Sequence, residues 1–259
     1  MGAPELRILN DSTELAGEAA ELFLWLGRQA IERDGRFRVA LSGGSTPRML
    51  YTTLAGPACA GQLDWQRIEF YFGDERCVAP DHPESNFKTV EDTLFGPLKI
   101  APKQIARMKG EAKDPDEEAR RYEALIRERF GVAPPAWPPF DLVLLGLGED
   151  AHTASLFPGT AALNDQRRLV VANHSPKGVK NRLTLTAAAI NQAQACVFLV
   201  SGAGKAKAVR LAIEGQAQDP RKVPARLIQP VNGRLVWFLD RAAAAELTMA
   251  KQGIVSHEE

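Results

Sequence analysis

Short apolar runs recur along the chain and are separated by segments with helical periodicity. These runs lack the apolar–polar alternation of a sheet with one wet face, so they are typical of strands buried on both faces, and helices between such strands favour parallel pairing. The sequence therefore predicts an α/β fold with an open, mostly parallel, doubly wound sheet and helices on both faces. The predicted strands are residues 37–42, 68–72, 141–145, 169–172, 182–186, 196–200 and 235–239.

Capping residues mark where the predicted helices begin. Asp11 precedes a helix that extends to about residue 31, Thr46 caps a second helix, and Asp114 precedes a third that extends to about residue 130. Helices are also predicted over residues 203–213 and 242–250. Between the strands, these segments supply the layers that a doubly wound sheet needs.

One segment, residues 131–139, has the composition of a linker because it contains two Pro-Pro pairs. A strongly apolar strand follows it at once. We therefore interpret the segment as a rigid surface loop within a single domain that spans residues 1–259, rather than as a domain boundary.

The charge balance limits the classes of partner. The chain has 32 Lys plus Arg and 32 Asp plus Glu, so its net charge is zero, and no general affinity for nucleic acid is expected. Residues 1–10 carry charges and no apolar run, and the longest uncharged stretch, residues 183–204, is too polar to span a bilayer. We therefore expect a cytoplasmic protein without a membrane partner. Its three cysteines are scattered without a C-x-x-C pair, which disfavours a zinc site and a disulfide framework.

Four unusual segments follow predicted strands: residues 42–46, 73–76, 146–158 and 201–205. In open α/β sheets, ligands bind beyond the carboxyl ends of the strands. Because the fold should bring these segments to one edge of the sheet, we expect the binding site there.

The first of these segments is predicted to bind phosphate. It consists of Ser42, Gly43, Gly44, Ser45 and Thr46 between a strand and a helix. Paired glycines let the backbone approach a ligand closely, and free N–H groups at the start of a helix attract an anion. A tight turn with a helix cap would not need both glycines and the additional hydroxyl groups.

Three cationic side chains are candidates for binding the same anion: Arg76, Arg182 and Lys205. A guanidinium group matches phosphate in a bidentate manner. The segment that ends at Lys205 resembles the end of a P-loop, but Leu199 and Ala206 replace the first Gly and the Ser/Thr of that motif. Binding of a nucleoside triphosphate is therefore not expected.

His152 is the candidate general base. It follows Glu149 and Asp150 in a glycine-bounded loop at the end of a strand. A carboxylate that accepts one imidazole N–H fixes the tautomer and leaves the other nitrogen as a base near neutral pH. We expect Asp150, with Asp74, to stabilise the imidazolium, although the sequence leaves open which of Asp74, Glu149 and Asp150 orients the ring.

Taken together, six segments resemble the 6-phosphogluconolactonase family. They are LSGGSTP at residues 41–47, FGDERCV at 72–78, HPESNF at 82–87, DLVLLGLGEDAHTASLFPGT at 141–160, NRLTLT at 181–186 and QPVNGRLVWFLDRAA at 229–243. The HTASLFPG block is fairly specific, whereas SGGSTP is shared with a wider superfamily that includes sugar-phosphate isomerases.

The resemblance implies hydrolysis of 6-phospho-D-glucono-1,5-lactone to 6-phospho-D-gluconate in the pentose phosphate pathway, without a metal or cofactor. By the same resemblance, His152 is the base that activates water, and residues 42–46 hold the 6-phosphate with Arg76 and Arg182 as cationic partners. The implied partner is this small sugar-phosphate lactone, and the implied assembly is a monomer or a small homo-oligomer.

One position departs from the family pattern. The family usually has Gly between the acid and the histidine, and this chain has Ala151. If the backbone there needs a positive φ, alanine adds a strain of about 1 kcal/mol or more.

Two other functions compete with lactone hydrolysis. A glucosamine-6-phosphate deaminase/isomerase needs an additional acid shortly after the histidine, whereas residues 153–157 contain no carboxylate and end in Phe157. A non-catalytic sugar-phosphate sensor would need an attached DNA-binding segment, and the residues before Phe37 offer neither the length nor the basic stripe for one.

Overall fold

A computed structural model of the protein describes residues 4–215 and 219–248. Within these ranges the strands are β1 (Glu5–Leu9), β2 (Phe37–Leu41), β3 (Ile68–Phe72), β4 (Asp74–Arg76), β5 (Leu142–Leu145), β6 (Val170–His174), β7 (Asn181–Leu185), β8 (Ala195–Val200) and β9 (Arg234–Asp240). The α-helices are α1 (Ser12–Asp34), α2 (Ser45–Ala55), α3 (Pro57–Ala60), α4 (Asn86–Val90), α5 (Gly96–Leu98), α6 (Pro115–Phe130), α7 (Ala187–Ile190) and α8 (Ala206–Ile213). A π-helical segment covers Glu91–Phe95, and short 3-10 segments include Trp65–Arg67, Ala161–Asn164 and Pro224–Leu227.

Six strands form a parallel sheet in the order β1-β9-β8-β5-β2-β3. Every residue of β5 and β8 is buried, which explains why their sequences are uninterrupted apolar runs. The predicted α/β fold with a mostly parallel sheet is confirmed. Strands β2, β5 and β8 are neighbours or next neighbours in this sheet, so the loops that follow them meet at one edge.

Two of the predicted strands do not belong to this sheet but to a second, smaller antiparallel sheet that was not predicted. Strands β6 and β7 pair antiparallel with each other, and β7 also pairs antiparallel with β4. Gly73 lies between β3 and β4, and its carbonyl accepts the Leu185 N–H at 2.8 Å, so the chain passes directly into the second sheet. An apolar run does not specify strand direction, so the sequence identifies these segments as strands without specifying their partners.

Most helix starts agree with the predicted caps. The Asp11 carboxylate accepts two backbone N–H bonds at the start of α1, and Asp114 does the same at the start of α6. The prediction for α2 is wrong by two residues, because Gly44 is the cap and Thr46 lies inside the first turn. The reason is that Gly44 has a φ of +105°, which turns the chain early enough for Ser45 to be helical.

Other boundaries differ in smaller ways. Strand β1, which was not predicted, extends the sheet by pairing with β9 at its edge. The helix predicted over 203–213 is a 3-10 turn, Ala203–Lys205, followed by α8. Residues 241–246 form turns where a helix was predicted, and residues 249 and 250 of that prediction lie outside the described residues.

The proline-rich segment 131–139 is a mostly exposed loop without helix or strand that joins α6 to β5. The rings of Phe130 and Phe140, on either side of it, pack on each other with centroids 5.0 Å apart, and both contact Tyr71. The loop therefore connects two parts of one hydrophobic core. In the described part of the chain, no helix combines the length and apolar character needed to cross a bilayer.

Candidate active site

A cleft of about 220 Å³ opens at the carboxyl ends of β2, β5 and β8. The four segments predicted to converge contribute to its walls, although they are distant in sequence. The predicted site residues that line it are Ser42, Gly43, Gly44, Ser45, Thr46, Asp74, Arg76, His152 and Lys205. Asp150 and Arg182, the other two predicted site residues, lie beside the cleft.

The turn before α2 has the properties of an anion site. Gly44 makes no side-chain capping bond, and no acidic residue lies in the first turn of α2. The first N–H groups of a helix have no intrahelical partners, and the helix dipole favours negative charge there. The Tyr51 hydroxyl fixes the turn, since it accepts the Ser42 N–H at 3.0 Å and donates to the Ser42 carbonyl at 2.7 Å.

Asn86 ties this turn to Asp74. A Cβ atom at Gly43 would lie 1.8 Å from Asn86 Oδ1, so only glycine allows this close approach. Asn86 Nδ2 donates to the Asp74 carbonyl at 2.9 Å and to Asp74 Oδ1 at 3.2 Å. Sequence reasoning did not identify Asn86 as a site residue; it was indicated only by its position in the HPESNF segment.

The Asp74 carboxylate is buried and held by side chains other than the histidine. Its Oδ2 accepts a hydrogen bond from Ser155 Oγ at 2.6 Å, and its Oδ1 accepts from Asn86. Ser155, itself fully buried, was not identified from the sequence because it lies 81 residues from Asp74. Asp74 therefore lines the cleft as a fixed carboxylate without a direct bond to His152.

Glu75 fixes the neighbouring backbone. Its buried carboxylate accepts the backbone N–H groups of Arg76 at 2.7 Å, Asn86 at 2.8 Å and Phe87 at 2.8 Å. Burial raises the pKa of Glu75, and these hydrogen bonds offset part of that effect. The short strand β4 and the start of α4 are thereby held together, which places Arg76 and Asn86 at the cleft.

Asp150 orients His152. The imidazole Nδ1 lies 2.5 Å from Asp150 Oδ1, and the same oxygen accepts the His152 backbone N–H at 3.2 Å. The hydrogen bond from His152 lowers the pKa of Asp150 below its ordinary value. With Nδ1 donating to an ionised carboxylate, Nε2 carries the lone pair and can accept a proton. Of the three acids that the sequence left open, Asp150 makes this contact.

Two residues around this pair have unusual backbone requirements. A Cβ atom at Gly148 would lie 2.0 Å from His152 Nδ1 and 2.6 Å from Asp150 Oδ1, so the pair occupies the space that a side chain would fill. Ala151, buried between the acid and the base, has a φ of +60°. Ala151 therefore has the positive φ at which an alanine is strained and a glycine is not.

We expect Ala151→Gly to raise the free energy of unfolding by about 1 kcal/mol, because glycine adopts a positive φ without a Cβ clash. Urea denaturation measures this change. Ala124→Gly, at an exposed position inside α6, is the matched control and should instead lower the free energy of unfolding by about 1 kcal/mol. A loss of stability in Ala151→Gly would contradict the assignment of strain.

The three candidate cations differ in their surroundings. Arg76 Nη1 donates to the Glu84 carbonyl at 2.7 Å, while its Nε has no hydrogen-bond partner among the described residues. Lys205 also lines the cleft and forms no ion pair within the described ranges. Arg182 is buried behind the cleft, where its Nε donates to the Val179 carbonyl at 2.9 Å. Burial lowers the pKa of Arg182, with the adjacent charge of Arg76 as the next cause.

The cleft thus brings an imidazole–carboxylate pair, His152 and Asp150, close to a helix N-terminus. The cationic side chains of Arg76 and Lys205 line the same cleft. Among residues 4–215 and 219–248, no cluster of three or more His, Cys, Asp or Glu side chains is arranged to hold a metal ion. Chemistry on an anionic ligand by an activated water fits this arrangement.

Comparison with known sequences supports the resemblance noted above. A family described as glucosamine-6-phosphate isomerases/6-phosphogluconolactonase matches residues 10–237. A 6-phosphogluconolactonase of Nostoc sp. is 40% identical over 244 residues, which cover 94% of this chain and 98% of the relative. A 6-phosphogluconolactonase of Rattus norvegicus is 35% identical over 255 residues, with 96% and 97% coverage.

Solved structures agree with this assignment. The 6-phosphogluconolactonase of Trypanosoma cruzi superposes with a TM-score of 0.83 at 30% identity, covering 95% of this chain and 97% of that one. A monomeric glucosamine-6-phosphate deaminase superposes with a TM-score of 0.76 at 25% identity, with 93% and 99% coverage. The fold, the cleft and the extent of the sequence match lead to one conclusion: the chain belongs to the glucosamine-6-phosphate isomerase/6-phosphogluconolactonase family.

Proposed function

We propose that this protein hydrolyses 6-phospho-D-glucono-1,5-lactone to 6-phospho-D-gluconate, a step of the pentose phosphate pathway. The observation that carries the proposal is the pair of His152 and Asp150 in one cleft with the anion-binding turn before α2. The relatives at 35–40% identity that bear the name 6-phosphogluconolactonase support the same choice of substrate.

In the proposed reaction, His152 Nε2 removes a proton from a water molecule, and the water oxygen attacks the lactone carbonyl. Asp150 stabilises the imidazolium through its bond to Nδ1. Backbone N–H groups of the glycine turns stabilise the tetrahedral oxyanion. As the intermediate collapses, the bond from C1 to the ring oxygen breaks and the ring oxygen takes the proton from His152. The carboxylic acid product then ionises and releases one proton to the solution.

The 6-phosphate occupies the turn formed by residues 42–46 in this proposal. Arg76 and Lys205 contact it from the cleft walls, whereas Arg182 contributes its charge from behind. The negative charge of Asp74 stabilises the imidazolium electrostatically, without a hydrogen bond to it. No metal or cofactor takes part, and the enzyme acts in the cytoplasm as a monomer or a small homo-oligomer.

The competing function is deamination of glucosamine 6-phosphate, because one structural neighbour is a deaminase. Residues 153–157 offer no carboxylate, and Phe157 packs against the His152 ring instead. An apolar ring cannot transfer the proton that amino-sugar chemistry requires. The composition of this loop therefore favours the lactonase.

Two assays separate the candidate functions. We expect rapid acid release from freshly made 6-phosphogluconolactone, measured by stopped flow against the spontaneous opening of the ester, and no ammonia release from glucosamine 6-phosphate. The acid release should persist in EDTA. Ammonia release without acid release would establish the deaminase instead. A thermal shift with 6-phosphogluconate but no turnover would indicate a sensor.

Lys205→Ala is expected to raise KM for the lactone about tenfold or more with a smaller change in kcat. A charge-assisted hydrogen bond to phosphate contributes about 1.5–3 kcal/mol and acts on the bound ground state and the transition state alike. Lys207→Ala, an exposed lysine one half-turn further along α8, is the matched control. An unchanged KM in Lys205→Ala would remove this residue from phosphate binding.

A further inference from the structure

Phe157 makes an aromatic contact with the candidate base that the proposed mechanism does not use. Its side chain is buried, and its ring centroid lies 4.6 Å from that of His152 with the two planes at 45°. The guanidinium carbon of Arg182 lies 5.9 Å from the centroid of the same phenyl ring. Phe157 is not among the described residues that line the cleft, so it contacts the base rather than the ligand site.

The contact matters because Asp150 alone fixes the imidazole poorly. Among the described residues the imidazole makes one hydrogen bond, at Nδ1, and that bond is at its solvent-exposed side. The Asp150 side chain is 43% exposed and the His152 side chain 30% exposed, so water competes for this bond. A phenyl ring packed against the imidazole restrains the position of that ring without adding a polar group.

The loop that carries Phe157 is itself firmly held. Thr153 Oγ1 donates to the Gly146 carbonyl at 2.9 Å, and the Leu156 N–H donates to the Thr153 carbonyl at 2.9 Å. Ser155 Oγ donates to the buried Asp74 carboxylate. These three bonds hold the loop, and the phenyl ring that follows it is buried, which makes the ring a more rigid support than the partly exposed Asp150 carboxylate.

We infer that Phe157 is a positioning residue that, together with Asp150, holds the His152 imidazole so that Nε2 faces the cleft. The inference deepens the proposed function and rests on it for its kinetic consequence. Its structural part, the restraint of the imidazole, is independent of the substrate.

The kinetic test is Phe157→Leu, with Phe157→Met as a second variant that has a similar volume to leucine but an unbranched and more flexible side chain. We expect kcat for lactone hydrolysis to fall about 10-fold to 100-fold, as for a misplacement of a catalytic group by about 1 Å, with KM within about twofold of the starting protein. Phe140→Leu removes an equally buried phenyl ring at the amino end of β5, away from the cleft, and should leave both constants unchanged.

The spectroscopic test uses NMR of protein labelled at histidine, without substrate. Loss of the phenyl ring should shift the His152 imidazole resonances in Phe157→Leu or Phe157→Met, and these resonances should be unchanged in Phe140→Leu. Unaltered His152 resonances together with unaltered kcat in either folded Phe157 variant would overturn the inference. An absence of lactone hydrolysis by the starting protein would instead overturn the proposed function, since the imidazole resonances are measured without turnover.

Discussion

His152→Ala lowers kcat for lactone hydrolysis by about 10²–10⁴-fold and leaves KM nearly unchanged; this is the expected result of removing the general base. The imidazole is the side chain in the cleft that combines an orienting carboxylate at one nitrogen with a free lone pair at the other. The turn at residues 42–46 and the cations that we propose to bind the phosphate remain in place in this variant, so we expect substrate affinity to be retained. Steady-state acid release on freshly made lactone measures both constants.

His174→Ala is the matched control for this experiment. His174 is an exposed residue at the end of β6 and does not line the cleft, so its removal should leave kcat and KM as they were. A kcat in His152→Ala within a few-fold of the starting protein would exclude His152 as the base. The search for the base would then move to Asp74, a carboxylate that also lines the cleft.

Gly148→Ala is expected to lower kcat by about 10²-fold or more, although the substitution adds one methyl group and removes no functional group. The new Cβ would lie 2.0 Å from His152 Nδ1 and 2.6 Å from Asp150 Oδ1, so the pair must separate or move together by about 1 Å or more. The same assay measures the effect, and circular dichroism checks that the variant is folded.

Gly17→Ala, inside α1, is the control for the general effect of a glycine-to-alanine change. A Cβ there meets nothing within 4 Å, so we expect unchanged kcat and a free energy of unfolding higher by up to about 1 kcal/mol. Full activity in Gly148→Ala would show that the imidazole and the carboxylate do not need the geometry described here.

Much of the fold could be predicted because it depends on local chemistry. The apolar runs of β3, β5 and β8 report burial on both faces, and the carboxylates of Asp11 and Asp114 satisfy the first N–H groups of α1 and α6 wherever those helices lie. The direction of a strand, in contrast, does not depend on local chemistry. The runs at β6 and β7 were correctly predicted as strands, but their place in a separate antiparallel sheet was not predicted, because the partner of a strand is set by the path of the chain, here by the turn at Gly73.

The candidate site likewise has some features that could be predicted from the sequence and others that could not. The turn at residues 42–46 and the histidine after two carboxylates were visible in the sequence, because each is a short pattern with its own chemistry. The contacts of Asn86 with Gly43 and of Ser155 with Asp74 were not visible, since they join segments that are distant along the chain. The burial of Arg182 behind the cleft, rather than in its wall, likewise depends on how the two sheets meet.

The amino-acid sequence by itself determined the class of fold, the edge of the sheet where the site lies and the residue types that form it, because periodicity, capping and turn chemistry act over a few residues. Only the tertiary structure decided that Asp150 orients His152, that Phe157 packs against its ring and that Ala151 has a positive φ. These features depend on distances of a few ångströms between side chains, and such distances are set by the packing of the whole chain.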